Sequence, residues 1–362
     1  MHQFTRSFLG KMRTRYAVRK YSQEFTMRNQ FDFGPKPSFK HWFPRHMGKG
    51  LIKMRRVLKN VDCIIEIHDA RIPISGRNPG LQQALSSKPY LLLLNKIDLV
   101  KFTKQHVDAI FEFYREKNVE NVIFTELLSA GQCHPSVRRI IPACVNLVQK
   151  SHRHDREGDM DINIMVVGIP NVGKSSLIKA LRAGNLGRKG GPEVGRNPGH
   201  TRAVMNRVQV SSNPAVYLLD TPGIFEPHIT DMHVGMKLAL CNTVHDHVIG
   251  PSMVADYLLY TLNKHRDFTY TKYFNLPGPT DCSLTLLKHI SNEANQFQTR
   301  AVQTGTGKVH VKIPDFDQAA SVFLKAFREG KLGNFLLDDV LNFEFIHKFN
   351  EETEFYDDEN ET

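Results

Sequence analysis

Two short segments hold residues whose types and spacing suit phosphate and purine chemistry. Gly168-Ile-Pro-Asn171-Val172-Gly173-Lys174-Ser175 matches the pattern G-x-x-x-x-G-K-[ST]. In that pattern the glycines let backbone N–H groups turn inward around a β-phosphate. The lysine reaches the β and γ oxygens, and the serine hydroxyl is placed to ligate Mg2+. Asn171, Val172, Gly173, Lys174, Ser175 and Ser176 are therefore candidate nucleotide contacts, and Lys174 is also a candidate catalytic group. The second segment is Asn95-Lys96-Ile97-Asp98. Guanine presents two adjacent donors, its N1–H and its exocyclic amine, and an ionised Asp98 is a two-oxygen acceptor able to take both. Adenine lacks that donor pair and would leave the carboxylate desolvated and unpaired, so such a site discriminates strongly. Lys96 would lay its alkyl stem along the base, and Asn95 would brace the loops.

Two further loops suit a γ-phosphate. Asp220-Thr-Pro-Gly223 offers a carboxylate to the Mg2+ shell and a backbone N–H to the phosphate, which makes Gly223 both a nucleotide contact and a catalytic candidate. Gly199-His-Thr201 lies in a Gly- and Arg-rich stretch from Lys189 to Arg202. Thr201 is the candidate second hydroxyl ligand of Mg2+. A loop ordered only while the γ-phosphate is present acts as a switch. Ile224 follows Gly223. An aliphatic chain there cannot position a water, so attack on the phosphate must be organised from elsewhere.

Positioning these loops requires a sheet. Short apolar runs alternate with amphipathic stretches, the pattern of a parallel sheet flanked by helices. Strands are expected at Val61–Ile67, Tyr90–Leu94, Val122–Thr125, Ile162–Val167, Val204–Val210 and Ala215–Leu219. Helices are expected at Gln105–Lys117, Pro135–Lys150 and Lys174–Ala183, and beyond Asp220 the text reads as helices. One of these runs from an Asp317 N-cap to Gly330, with Ala319, Val322, Phe323, Ala326 and Phe327 on one face. In the usual order a phosphate loop precedes the base-reading loop; here residues 95–98 precede 168–175. The same sheet accommodates that order if the chain is circularly permuted, with the old termini joined at the polar connector Ser151–Met160. The expected fold class is thus α/β. A circularly permuted P-loop domain, with an approximately six-stranded, mostly parallel sheet and helices on both faces, precedes a smaller, mainly helical domain. Because the segment after Asp220 leads straight into those C-terminal helices, nucleotide state can move them.

The chain has 362 residues, 41% hydrophobic and 23% charged, the balance of a globular protein. No run approaches the roughly 20 apolar residues of a membrane-spanning helix. The five cysteines, at 63, 133, 144, 241 and 282, form no C-x-x-C pair, which argues against a disulfide framework or structural zinc site. The net charge is +11, distributed as +6 over residues 1–30, −7 over 351–362 and +12 over the body between them. Such a basic body implies a polyanionic partner, nucleic acid or an anionic membrane surface, or else a merely soluble basic surface. Residues 1–34 have the composition of a mitochondrial presequence, or else of a basic RNA-binding arm or simply a disordered tail. The expected division is then a nucleotide domain over 35–245, a helical domain over 246–345 suited to binding RNA, and an acidic tail over 346–362. Arg328 and Lys331, at the end of the Asp317–Gly330 helix, are candidate RNA phosphate contacts or, equally, complements to the helix dipole.

The sequence resembles the circularly permuted GTPases that assist large ribosomal subunit assembly, and most of all their mitochondrial branch. The residues that carry this are His41-Trp-Phe-Pro-Arg-His46-Met-Gly-Lys, Asp69-Ala-Arg71-Ile-Pro, the two loops above, Pro198-Gly-His-Thr201, Asp220-Thr-Pro-Gly223, Ala255-Asp-Tyr-Leu-Leu and Phe327-Arg-Glu-Gly-Lys-Leu-Gly333. The resemblance covers about residues 35–340. It implies GTP/GDP binding, and hydrolysis coupled to the mitochondrial large subunit and its rRNA. It implies Asn171 as a K+ ligand beside the Mg2+ site and His46 as the group that orients the attacking water. Ser129 is implied as a guanine contact, in a segment, Phe124-Thr-Glu-Leu-Leu-Ser129-Ala130, that offers two registers. The expected location is the mitochondrial matrix, with peripheral contact at the inner membrane. Two other functions stay open: an rRNA-binding scaffold stabilised by nucleotide, with incidental hydrolysis, and a GTPase of a membrane surface.

Overall fold

A computed structural model describes residues 25–34, 58–77, 88–128, 134–153, 156, 158–186, 207–220, 229, 231–304 and 307–342. They form two units. One is a sheet unit up to Val244, rejoined by the chain from Asn334; the other is a helical unit of His245–Gly333 with residues 25–34.

The sheet unit holds β1 (Cys63–Asp69), β2 (Tyr90–Asn95), β3 (Val122–Thr125), β4 (Ile162–Val167), β5 (Arg207–Ser212) and β6 (Ala215–Asp220). Their order is β3-β2-β1-β4-β6-β5. All neighbours pair in parallel except β5, which closes one edge antiparallel to β6. Every residue of β1 and β4 is buried, as expected of central strands covered on both faces. Leu58, Val61, Ile64, Met165, Val167 and Leu219 form a cluster under these strands. The helices are α1 (Lys104–Glu116), α2 (Pro135–Arg138), α3 (Ile140–Gln149), α4 (Lys174–Leu186) and α5 (Met232–Leu240). A capping box between Thr103 and His106 starts α1.

The expected strands are all present, with shifted bounds for four; β2 runs one residue past Leu94, to Asn95. β1 begins two residues late because Leu58–Asn60 forms a 3-10 turn, and it extends to Asp69, which pairs with Asn95. β5 is described from Arg207, residues 204–206 lying outside the described residues, and it runs two residues past Val210, to Ser212. Arg207 hydrogen-bonds Asn163 and Asp161, and its guanidinium lies 3.7 Å from the Tyr217 ring centroid. β6 runs one residue further, to Asp220. The single helix expected over Pro135–Lys150 is two helices. Pro142 has no N–H to give the Arg138 carbonyl and its ring would strike it, so the helix breaks at Arg139. The 151–160 connector is fixed at the amino edge of the sheet. There Arg153 donates to Asp62 (3.0 Å) and to the carbonyls of Asp159 and Asp161 (2.6 Å each).

The helical unit contains α6 (Asp246–Ile249), α7 (Pro251–Lys264), α8 (Thr269–Tyr273), α9 (Ser283–Glu293) and α10 (Phe316–Arg328). A β7–β8 hairpin (Phe297–Thr304, Gly307–Pro314) stands between α9 and α10 and went unpredicted. The N-cap of α10 is Asp315, not Asp317: Asp315 precedes the first helical residue and accepts from the Gln318 N–H at 3.0 Å. Asp317 sits in the first turn, where its charge complements the helix dipole. The helix ends as expected, with Gly330 at φ +73°.

Two expected boundaries change. Residues 25–34 belong to the folded helical unit, because Arg28 pairs with Asp256 (2.9 Å) and Asp281 (3.1 Å). A leader reaching residue 34 would have to carry those contacts away. Residues 334–342 belong to the sheet unit, not to a helical domain ending at 345. Asp338, 3% exposed, accepts from the N–H groups of Ile74 (2.9 Å) and Ser75 (2.8 Å), the Ser75 hydroxyl (2.5 Å) and Lys237 Nζ (3.0 Å). Asp338→Ala would leave two buried N–H groups without their acceptor and take a carboxylate from Lys237. It should therefore lower the unfolding free energy by about 3–5 kcal/mol in urea titration. A loss below about 1 kcal/mol would mean that this carboxylate does not hold the segment.

Candidate nucleotide-binding site

In a parallel sheet the loops that follow the strands emerge at one edge, the carboxyl edge, where ligands bind. The loops after β1, β2 and β4 and the end of β6 all lie there, and they carry the residues singled out above. Asp220 is the last residue of β6 and pairs with Val166 of β4, two residues ahead of Gly168.

The phosphate loop joins β4 to α4. Gly168 (φ +148°), Asn171 (φ +61°) and Gly173 (φ +115°) all take left-side backbone conformations. Two of these require glycine for a second reason: a Cβ on Gly168 would strike the Ile67 carbonyl of β1, and one on Gly173 the Asn95 amide. Lys174 Nζ donates to the Gly168 and Ile169 carbonyls, 2.8 Å each, which holds the ammonium at the mouth of the loop. Ser175 and Ser176 lie in the first turn of α4, whose N–H groups and dipole favour an anion.

Asn95 joins this loop to the base-reading loop. Its Nδ2 donates to the Val172 carbonyl at 2.7 Å. Its Oδ1 accepts from the Leu127 N–H at 3.3 Å and the Thr125 hydroxyl at 3.4 Å. One buried amide thus ties together the loops after β2, β3 and β4. Lys96 stands at φ +67°, a conformation that costs a non-glycine residue about 1–2 kcal/mol. Its Nζ is anchored on Asp69 Oδ2 at 2.8 Å. Asp69 is itself held by Arg71, through Nε–Oδ1 (2.9 Å) and NH2–Oδ2 (2.8 Å). The Asp69 carboxyl stays well below the usual carboxylate range: burial opposes this, and the charges of Arg71 and Lys96 outweigh it.

Asp98 follows in a 3-10 turn, with its carbonyl accepting from Asn334 Nδ2 at 2.7 Å. The Leu337 N–H reaches the Arg71 carbonyl at 2.8 Å, so residues 334–337 lie along both base-side segments. Partial desolvation of the Asp98 carboxyl, then the negative charges of Glu126 and Asp69, raise its pKa; Arg71 and a backbone hydrogen bond pull the other way.

The structure therefore brings together Asn95, Lys96, Asp98, Asn171, Val172, Gly173, Lys174, Ser175 and Ser176, with the Asp220 backbone beside them. His46, Ser129, Thr201 and Gly223 lie outside the described residues. Arg328 and Lys331 lie in the helical unit and are engaged there. Arg328 forms a two-pronged pair with Asp246 (2.8 and 2.5 Å), and Lys331 pairs with Glu329 (2.5 Å). Asp69, Arg71 and Asn334 were given no role by the sequence. An acid two residues before an arginine at the end of an apolar strand was a usable signal for the first two. For Asn334, 236 positions from Asp98, local pattern offers none.

A glycine-rich loop between β4 and α4, braced by the asparagine of a strand ending Asn-Lys-Ile-Asp, defines the class: a P-loop GTPase with its motifs in circularly permuted order. The family model described as 50S ribosome-binding GTPase matches residues 163–272, starting at β4 and leaving the base-reading strand upstream. A Xenopus tropicalis protein named mitochondrial ribosome-associated GTPase 1 is 44% identical over 312 residues, 86% of this chain and 98% of its own. The mouse protein of that name is 47% identical over 82% of this chain and 89% of its own. Ribosome biogenesis GTPase A of Bacillus cereus is 31% identical over 86% of this chain and 96% of its own. The chain belongs to the family of mitochondrial ribosome-associated GTPases.

GTPases of this kind depend on Mg2+. The Ser175 hydroxyl, exposed in the first turn of α4, is a hard oxygen donor that suits it, and the β6 strand ends with Asp220 at the same sheet edge.

The raised pKa of Asp98 makes a pH prediction. Guanine needs the ionised carboxylate, and protonation of Asp98 removes one of its two acceptors. As pH falls, GDP affinity should decline above the ordinary aspartate value of about 3.9. Asp98→Asn, which cannot titrate, should bind GDP more weakly at pH 7 by about 1.5–3 kcal/mol and lose that part of the decline. Parallel profiles from pH 7.5 to 4.5 for wild type and variant would contradict the assignment.

Proposed function

We propose that the protein is a GTP-hydrolysing switch that binds the mitochondrial large ribosomal subunit and its rRNA and assists its assembly. The observation that carries this reading is the Asn95 amide, which makes guanine recognition and phosphate binding parts of one construction. The names of the relatives and the basic body, at +12 between the ends, support a ribosomal partner.

Within the reaction, Asp98 and Lys96 select and hold the base. The phosphate-loop amides and Lys174 hold the phosphates, and Gly223 meets the γ-phosphate through its N–H. Ser175, Thr201 and Asp220 would hold Mg2+, which when bound neutralises charge on the β and γ oxygens. Ile224 cannot orient water, so His46 takes that role. Asn171 would offer a K+ ion its side-chain oxygen: its Nδ2 donates to the Asn242 carbonyl at 2.6 Å, which turns Oδ1, at the opposite edge of the planar amide, away from that carbonyl. Ser129 contacts the base. The site of action is the matrix, with peripheral contact at the inner membrane; no helix among the described residues is long and apolar enough to cross a membrane.

Purified large subunits provide the test. Binding should be tighter with a non-hydrolysable GTP analogue than with GDP at the same salt, and turnover should rise with added subunits and in K+ over Na+. Equal affinities with unstimulated turnover would favour the scaffold. Turnover indifferent to the cation would remove Asn171 from the mechanism.

A further inference from the structure

The cations at the end of α10 are matched by acids, Lys325 and Lys331 by Glu329 and Arg328 by Asp246. The β7–β8 hairpin differs. From Ala294 to Pro314 the chain carries Arg300, Lys308, His310 and Lys312 and no acid. The hairpin is rooted between α9 and α10, where the Gln296 N–H reaches the Ser291 carbonyl (2.8 Å) and the Asp315 N–H the Gln296 carbonyl (3.1 Å). From that root two eight-residue strands extend about 26 Å at ~3.3 Å per residue. Phe297, Gln298, Thr299, Ala301, His310, Val311 and Lys312 are all exposed.

The register sorts the ribbon into unlike faces. Phe297 pairs with Pro314, Thr299 with Lys312, Ala301 with His310 and Gln303 with Lys308. These positions form one face, on which Lys308, His310 and Lys312 recur at about 6.6 Å, close to the separation of successive phosphates along a nucleic-acid strand. Phe297, 43% exposed, stands on the same face. Cations, hydroxyl and amide groups and an open aromatic ring, with no carboxylate among them, suit a phosphate backbone with unstacked bases. On the other face Gln298, Arg300, Val302 and Thr304 pair with Ile313, Val311, Val309 and Gly307, so that β8 is apolar there and β7 mixed.

We infer that the Lys308–His310–Lys312 face of this ribbon docks on the RNA of the large subunit, and that it, rather than the end of α10, is the phosphate-contacting surface of the helical unit. This rests on the ribosome-binding reading above. A two-stranded ribbon is marginal in isolation, so one held at its root, with residues 297–299, 301 and 310–312 exposed, gains from a partner along its length. Charge selects RNA as that partner.

The test compares full-length wild type with Lys308→Ala/Lys312→Ala and with Val311→Asp. Each is titrated with protein-free large-subunit rRNA and with intact large subunits across a salt series, with thermal unfolding as the fold control. The lysine pair should bind rRNA about tenfold more weakly near physiological salt, with a salt slope shallower by roughly two units and an unchanged melting point. Wild-type affinity and slope in the lysine pair would overturn the inference and leave the ribosome-binding reading standing. It would equally be overturned if Val311→Asp alone lost intact subunits, which would give the ribbon to a ribosomal protein. Failure of the wild type to bind either target would overturn both.

Discussion

The side-chain amide of Asn95 is the contact on which the site depends. It is 2% exposed, so an unmet donor or acceptor there would cost about 1–3 kcal/mol, and it is met on both sides. Because donor and acceptor are fixed on one planar group, satisfying the Val172 carbonyl with Nδ2 aims Oδ1 at the Leu127 N–H. The base-reading loop thus cannot shift without disturbing the phosphate loop or the segment after β3. Gly173 completes the constraint, since any side chain there would displace the Asn95 amide. The second glycine of the phosphate motif is needed here as much for its neighbour as for a phosphate.

This is why chain order matters less than strand order. β2 precedes β4 by 72 positions at their first residues, and β1 lies between them in the sheet. What brings Asn95 to Val172 is therefore lateral placement at the carboxyl edge, which a permuted connection leaves intact provided the joint is remote from that edge. The connector held by Arg153 and Asp62 is at the amino edge and meets that condition. A second layer of constraint lies on the base side. Asp69 and Arg71 form a buried pair that anchors Lys96 in a conformation it would otherwise avoid, and residues 334–338 fasten the same segment from outside.

The strands and the two motif loops were legible because their signals are local. An all-apolar run such as Tyr90–Leu94 followed by Asn-Lys-Ile-Asp needs no distant partner to be recognised. The break at Arg139 was legible in principle, from Pro142. The hairpin was legible in part, since residues 308–313 alternate polar and apolar strictly, but β7 mixes Gln, Thr, Arg and Val and offers no matching alternation to mark it as the partner strand. The end of the sheet unit was missed because Asp338 finds its partners at Ile74, Ser75 and Lys237, which no periodicity links to it. Arg328 shows the converse: a cation at a helix end reads equally as a phosphate contact or a complement to the dipole, and its pair with Asp246 is written nowhere in the local pattern.

The central claim, that one amide couples guanine recognition to phosphate binding, is tested most directly by Asn95→Ala. Calorimetric or fluorescence titration would give the affinities of wild type and variant for GDP and ADP. The account predicts that GDP affinity falls at least about tenfold, the equivalent of 1.4 kcal/mol, and that the GDP-over-ADP preference shrinks with it. A variant that lost affinity for both nucleotides equally, or for neither, would contradict it, because base loop and phosphate loop would then be held independently.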